Sequence, residues 1–200
     1  MVDLTIAHDL NSWASRHDGL EDMFSAYGTV SEPLFAVATA VLFLVTWGSA
    51  RPLARRAAIG ALAAAGLALA AGQAISRLAD RPRPFVAHPG LIHLFAPHAA
   101  DAGFPSDHAT AAFAIAVALL LRNRLWGWIA IAAATVLAFE RVLVGVHYPA
   151  DVLAGALLGG LAAAALWHPA ARRITDRVAD GAGDVLDRAV RRPGRVAPGG

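Results

Sequence analysis

Three short stretches of the chain hold most of the side chains suited to chemistry. The first is Arg77-Leu-Ala-Asp-Arg81-Pro-Arg83-Pro-Phe. Guanidinium groups present forked donors that suit bidentate phosphate binding. The prolines break helix and force an extended path. The second is Phe104-Pro105-Ser106-Asp107-His108-Ala-Thr. Pro then Ser at the mouth of an apolar run marks a helix start. The free N–H groups of such a start form an anion cradle, with His108 in the first turn beside the anion. The third runs from Glu140-Arg141 through Gly145 to His147-Tyr-Pro149-Ala-Asp151. Pro149 fits the first turn of a helix. That places His147 at the helix entrance and Asp151 four residues on, on the same face. A carboxylate bonded to one imidazole nitrogen fixes the tautomer and leaves the other nitrogen as a nucleophile.

Each stretch also has a plain structural reading. Arg77, Arg81 and Arg83 could be a juxtamembrane stop signal, Ser106 a simple helix cap, and Asp151 a cap beside a membrane-edge histidine. All three plain readings would have to hold on one membrane face at once, which favours a shared site. His88, His93 and His98 recur every five residues, a spacing that tempts a metal reading. It is not helical i, i+4 spacing, and the chain has no Cys, so no metal is expected. These histidines read as loop residues near a substrate entrance.

The elements that position these stretches are apolar. Five runs stand out at Pro33–Trp47, Ala57–Ser76, Ser106–Leu121, Leu125–Val146 and Val152–Trp167. A membrane-crossing helix needs about 20 residues. The second and fourth runs reach that length; the others need flanking residues. Arg51, Arg55, Arg56, Arg122, Arg124 and the arginines of the tail (Arg172, Arg173, Arg177, Arg188, Arg191, Arg192, Arg195) fall on one side of a five-span layout. Arg16, Arg77, Arg81, Arg83 and Arg141 fall on the other. The positive-inside rule makes the richer side cytoplasmic, and Trp47, Trp126, Trp128 and Trp167 form an interfacial belt there. The three chemical stretches then meet at the extracytoplasmic edge, where ionisable groups are costly and usually functional.

Composition agrees. The chain has 200 residues, 57% hydrophobic and 16% charged, with a mean hydropathy of +0.52. Ordinary soluble domains are about 25% charged. Disorder, collagen-like repeats, disulfide scaffolds and thiol nucleophiles are excluded. All 17 basic residues are Arg, and their position beside apolar runs argues for membrane topology rather than nucleic acid. The expected fold is all-α: a polytopic membrane bundle of about five transmembrane helices with amphipathic terminal helices. Residues 1–32 read as an extracytoplasmic segment with an interfacial helix carrying Ile6, Leu10 and Trp13. This segment is polar and does not read as a signal peptide. Residues 33–168 read as the membrane-embedded domain. Residues 169–200 read as a basic cytoplasmic tail, with a surface helix through Ile174, Val178, Val185 and Leu186 and a disordered end.

The motifs resemble those of the type 2 phosphatidic acid phosphatase superfamily, integral membrane lipid phosphatases, over about residues 33–168. Arg83-Pro84 matches the end of that family's first motif. Pro105-Ser106-Asp107-His108 matches the second, and Arg141, His147 and Asp151 match the third. Arg-Pro-Arg-Pro-Phe, Pro-Ser-Asp-His and Gly-Val-His-Tyr-Pro are similar to bacterial undecaprenyl-diphosphatases of the bacitracin-resistance type. The resemblance implies catalysis by His147, His108 and Asp151 through a phosphohistidine, without metal or other cofactor. It implies phosphate binding by Arg83, Arg141, Ser106 and the Asp107 amide. Arg77 and Arg81 would suit the second phosphate of a diphosphate. Three departures stand out: Ser76 occupies the position of the family's Lys, Asp107 that of its Gly, and Glu140 that of its Ser.

The expected activity is hydrolysis of undecaprenyl diphosphate to the monophosphate at the extracytoplasmic face of a bacterial inner membrane. The expected partners are a polyprenyl or phospholipid phosphate and the bilayer, with no nucleic acid. Phosphatidic acid or phosphatidylglycerophosphate is the alternative substrate class. A non-catalytic lipid-binding homologue or a transporter is a further alternative, but a transporter would place its polar groups near mid-span.

Overall fold

A computed structural model of the chain describes residues 2–17, 52–95 and 97–190, with positions 19, 22–24, 26, 27, 37 and 41. Seven helices are described: α1 (Val2–Ala14), α2 (Pro52–Ala79), α3 (Pro84–Ala87), α4 (Asp107–Leu120), α5 (Arg124–Leu143), α6 (Pro149–Trp167) and α7 (Pro169–Val190). Their boundaries follow local chemistry. The Ser106 hydroxyl caps α4 by accepting from Ala109 N at 3.5 Å. Asn123 caps α5 by accepting from Trp126 N at 3.2 Å. Pro149 and Pro169 open α6 and α7, where a missing N–H costs nothing.

The interior is built from small residues. Ala61, Ala64 and Ala68 of α2 meet Ala114 and Ala118 of α4 and Ala162 and Ala163 of α6. Lipid tails are as apolar as Leu, so burying large side chains gives no drive for helix association in a bilayer; close van der Waals approach does. Gly155 and Gly159 of α6 permit that approach. A Cβ at Gly155 would stand 2.6 Å from the Ser106 carbonyl oxygen, and one at Gly159 would run into the Thr110 carbonyl oxygen. The large apolar side chains point outward instead, Leu153, Leu157 and Leu161 of α6 among them.

Three of the described helices, α2, α5 and α6, are long and apolar enough to cross a membrane. The five-run expectation differs in one place among the described residues. The Pro33–Trp47 run lies outside the described residues apart from isolated positions. The third run forms a helix of only 14 residues, about 21 Å long against a hydrocarbon core of about 30 Å. Pro105 and Ser106 start it, and Pro105, Asp107 and His108 at that end line the cavity described below.

The terminal helices are docked rather than merely laid on the membrane. The buried face of α1 is Ala7, Asn11 and Ala14, while Ile6 and Trp13 stay half exposed. Asn11 Nδ2 donates to the carbonyls of Leu143 and His93, both at 2.8 Å, and Asn11 Oδ1 accepts from His93 N at 2.7 Å. At the opposite end, Arg56 forms a two-bond pair with Asp180 of α7 at 3.0 and 2.7 Å, and Arg122 pairs with Asp176. Arg122 and Arg172 both lie on the Trp167 ring, at 5.3 and 4.3 Å. The acidic face of α7 thus turns inward, and Ile174, Val178 and Val185 face out. The tail from 191 onward is outside the described residues.

Gly159→Ala should destabilise the protein by about 1–3 kcal/mol, because overpacking a close helix contact forces the backbones apart. Thermal unfolding in detergent measures it, and an unchanged transition would show that α4 and α6 can separate freely.

Candidate active site

The polar end of the bundle contains a cavity of about 490 Å³. Ser76 and Arg77 reach it from the end of α2, and Arg83 and His98 from the connection between α2 and α4. His108 comes from the first turn of α4 and His147 from the turn between α5 and α6. Two further bonds draw these elements together. Ser106 N donates to the Asp151 carbonyl at 3.0 Å, joining the starts of α4 and α6, and Gly103 N donates to the Arg81 carbonyl at 2.8 Å.

Two hydrogen bonds set the state of His147 independently. Its Nδ1 lies 2.9 Å from the Gly103 carbonyl oxygen. A carbonyl can only accept, so Nδ1 carries the proton. Its Nε2 lies 3.0 Å from an Arg83 terminal nitrogen. A guanidinium can only donate, so Nε2 holds the lone pair. Burial lowers the pKa of His147, Arg83 and Arg141 add to that, and Asp151 opposes it. The ring is therefore neutral at neutral pH, with its basic nitrogen turned toward Arg83 at the cavity wall.

The expected direct bond from Asp151 to His147 is replaced. Asp151 Oδ2 is 3.6 Å from His147 Nδ1, within ion-pair reach only, and the Gly103 carbonyl accepts the Nδ1–H at 2.9 Å. The reason is that Asp151 has other partners. Its Oδ2 accepts from Tyr148 N at 2.8 Å as the cap of α6, and its Oδ1 accepts from Arg81 at 2.7 Å.

The six expected phosphate ligands divide. Arg83, Arg77 and Asp107 line the cavity; Ser106, Arg141 and Arg81 do not. Arg83 is held on three sides: by Asp101 at 2.8 Å, by the Val146 carbonyl at 3.2 Å and by His147. Asp107 accepts from Gln73 Nε2 at 2.8 Å. Ser106 is fully buried, its hydroxyl turned to the Ala109 amide. Arg141 is held by its neighbour Glu140 through two bonds, one of 2.7 Å, and both residues are buried. Arg81 stacks on the Tyr148 ring at 4.0 Å and spends its donors on Asp151 and Asp3. Of the two arginines expected at a second phosphate, Arg77 lines the cavity, and Arg81, paired with Asp151 and Asp3, does not.

His98, in the loop between α2 and α4, lines the cavity. Burial and then the nearby Arg83 charge push its pKa down to about 4. Burial tends to raise the pKa of Asp101, but the Arg83 hydrogen bond and charge win and hold it below the usual carboxylate range. His88 instead packs edge-on to Tyr148 at 6.5 Å, and His93 bonds Asn11 through its backbone. Among the described residues no group of three or more His, Cys, Asp or Glu is arranged to hold a metal ion.

The family model of the PAP2 superfamily matches residues 57–174, a stretch that contains all three motifs. The chain is 43% identical over 119 residues to undecaprenyl-diphosphatase BcrC of Bacillus subtilis (strain 168), covering 58% of this chain and 60% of that protein. It is 38% identical over 152 residues to YbjG of Escherichia coli (strain K12), covering 73% of this chain and 71% of that one. The crystal structure of Aquifex aeolicus LpxE shares the fold, with a TM-score of 0.68 at 22% identity over 82% of this chain and 94% of that chain. With more than half its length matched and an all-helical membrane fold in common, the chain belongs to the PAP2 superfamily.

Proposed function

We propose that the chain is an integral membrane lipid phosphatase that hydrolyses undecaprenyl diphosphate to undecaprenyl phosphate. The observation that carries the reading is the neutral His147, its lone pair on Nε2, beside Arg83 and His108 at one cavity. The name and identity of the Bacillus relative support the substrate class.

In the first step Nε2 attacks the terminal phosphorus, and the bond from that phosphorus to the bridging oxygen breaks. His108 gives its proton to that oxygen as undecaprenyl phosphate leaves. Phosphorylated on Nε2 and still protonated on Nδ1, His147 becomes cationic, and the Gly103 carbonyl and the Asp151 charge stabilise it. In the second step His108 takes a proton from water, the water oxygen attacks phosphorus, and the N–P bond breaks to release inorganic phosphate. Arg83, bonded to Nε2 in the resting site, turns its donors to the phosphoryl oxygens. The first-turn amides of α4 add to this, and together they offset charge as it builds in the transition state. Arg141, fixed by Glu140, contributes positive field from behind. Arg77 meets the second phosphate. The site faces the extracytoplasmic side of a bacterial cell membrane, where diphosphate carrier is left behind by polymerisation of cell-wall units.

Purified protein in detergent should release phosphate from a polyprenyl diphosphate faster than from phosphatidic acid or phosphatidylglycerophosphate. Preference for a monophosphate lipid would reassign the substrate, and no release from any lipid would end the enzymatic reading. His147→Ala should abolish turnover, and His108→Ala should cost about 10²–10⁴-fold in kcat, the range for a general acid–base. Either variant, folded and near wild-type rate, would refute the two-histidine mechanism. The chain has no Cys, so orientation can be read by single substitutions. Ala99→Cys should react with an impermeant maleimide on intact cells, and Ala54→Cys only after permeabilisation. The reverse pattern would place the site in the cytoplasm.

A further inference from the structure

The amino-terminal helix lies outside the stretch matched to the family, yet one of its side chains reaches the charged network behind the site. Asp3 Oδ2 accepts from Arg81 at 2.6 Å. The other terminal nitrogen of the same guanidinium donates to Asp151 Oδ1 at 2.7 Å, and the Tyr148 ring lies on the guanidinium at 4.0 Å. Asp3 Oδ1 accepts from Ala150 N at 3.0 Å, one of the orphan donors in the first turn of α6. Asp3 therefore grips the turn that carries Asp151 at two points. Asp151 closes that turn from within, through its own bond to Tyr148 N.

We propose that Asp3 is a positioning residue of the catalytic site, sharing Arg81 with Asp151 and so fixing the carboxylate that faces His147. The assignment rests on the phosphatase reading only for its kinetic consequence. Asp151 is fully buried, and both its oxygens are occupied, so its distance from His147 is set by Arg81 and Tyr148 N. One carboxylate on a guanidinium leaves that guanidinium free to pivot. Two carboxylates on separate nitrogens, with a ring against the planar face, hold it in one orientation. Without Asp3, Arg81 carries an unshared positive charge toward Asp151 and can draw that carboxylate away from His147. The ring would then be less well stabilised when it becomes cationic on attack. Asn11 supports the arrangement by docking α1 onto the bundle through the Leu143 and His93 backbone.

The test is a double-mutant cycle on the purified full chain. Asp3→Asn keeps the size of the side chain but withdraws the charge from Arg81. It should lower kcat about tenfold, the scale of coupling within a charged network, with KM on polyprenyl diphosphate within about twofold. On an Arg81→Gln background the same substitution should add almost nothing, because the shared group is gone. A merely structural Asp3 would lower the thermal transition and the active fraction equally on both backgrounds. Folded Asp3→Asn with wild-type kcat, an effect confined to KM, or equal losses on both backgrounds would each overturn the proposal. Deuterium exchange over residues 148–152 provides a readout that needs no turnover. Asp3→Ala, which removes both bonds, should raise uptake there, and unchanged uptake would overturn the clamp. If wild type released no phosphate from any lipid, the functional reading alone would fail, and the exchange result would still decide the role of Asp3.

Discussion

The close contact between α4 and α6 is the constraint on which the site depends. Without side chains at Gly155 and Gly159, α6 meets the backbone of α4 at the Ser106 and Thr110 carbonyls. The two helix starts are then near enough for Ser106 N to bond the Asp151 carbonyl. That bond sets the relative depth of His108 and His147, which come from different motifs. If the helices stood a methyl group further apart, the two histidines would no longer be held at one depth. Bulky residues could not replace the glycines at the same spacing, since packing distance, not apolar area, governs helix pairing in lipid.

The two ends of the bundle use charge differently. At the α7 end, Arg56 and Arg122 are matched with Asp180 and Asp176, which locks a surface helix to the spans. At the site end, three arginines are each held by a carboxylate. Asp101 holds Arg83, Glu140 holds Arg141, and Asp3 with Asp151 holds Arg81. Each guanidinium is thereby fixed in place, and fixed charge of this kind is what electrostatic catalysis uses.

The motifs were legible because their chemistry needs particular side chains at particular spacing: two histidines at helix starts, arginines beside prolines, an Asp four residues after His147. What escaped the sequence was carried by groups without a side-chain signature. The Gly103 carbonyl sets the tautomer of His147, and no pattern of residue types marks a backbone acceptor. Arg81 was grouped with Arg83 because the two are neighbours in sequence. Its partners Asp3 and Tyr148 come from distant elements, so their pull could not be read from local spacing. The inward stripe of α1 is Ala7, Asn11 and Ala14, and hydropathy instead picked out the outward Ile6 and Trp13. Gly155 and Gly159 were in plain sight, but a scan for apolar runs does not distinguish small residues from large ones. His98 was placed in its loop correctly, but only the folding of that loop over Arg83 brings it into the cavity.

The brevity of α4 has a consequence for traffic. Its 14 residues span about 21 Å, whereas the 28 of α2 span about 42 Å. The central helix of the bundle therefore stops short, and the end of α2, the loop leading into α4 and the turn that carries His147 line a well at its start. An anionic head group that descends into the well leaves bulk water, and each arginine charge acts on it more strongly as the surroundings become less polar. The two products of the proposed reaction then part at right angles. Inorganic phosphate, freely soluble, leaves upward through the mouth of the well. The lipid, tethered by its tail, can leave only sideways into the bilayer. In the proposed reaction, neither product then has to pass the other.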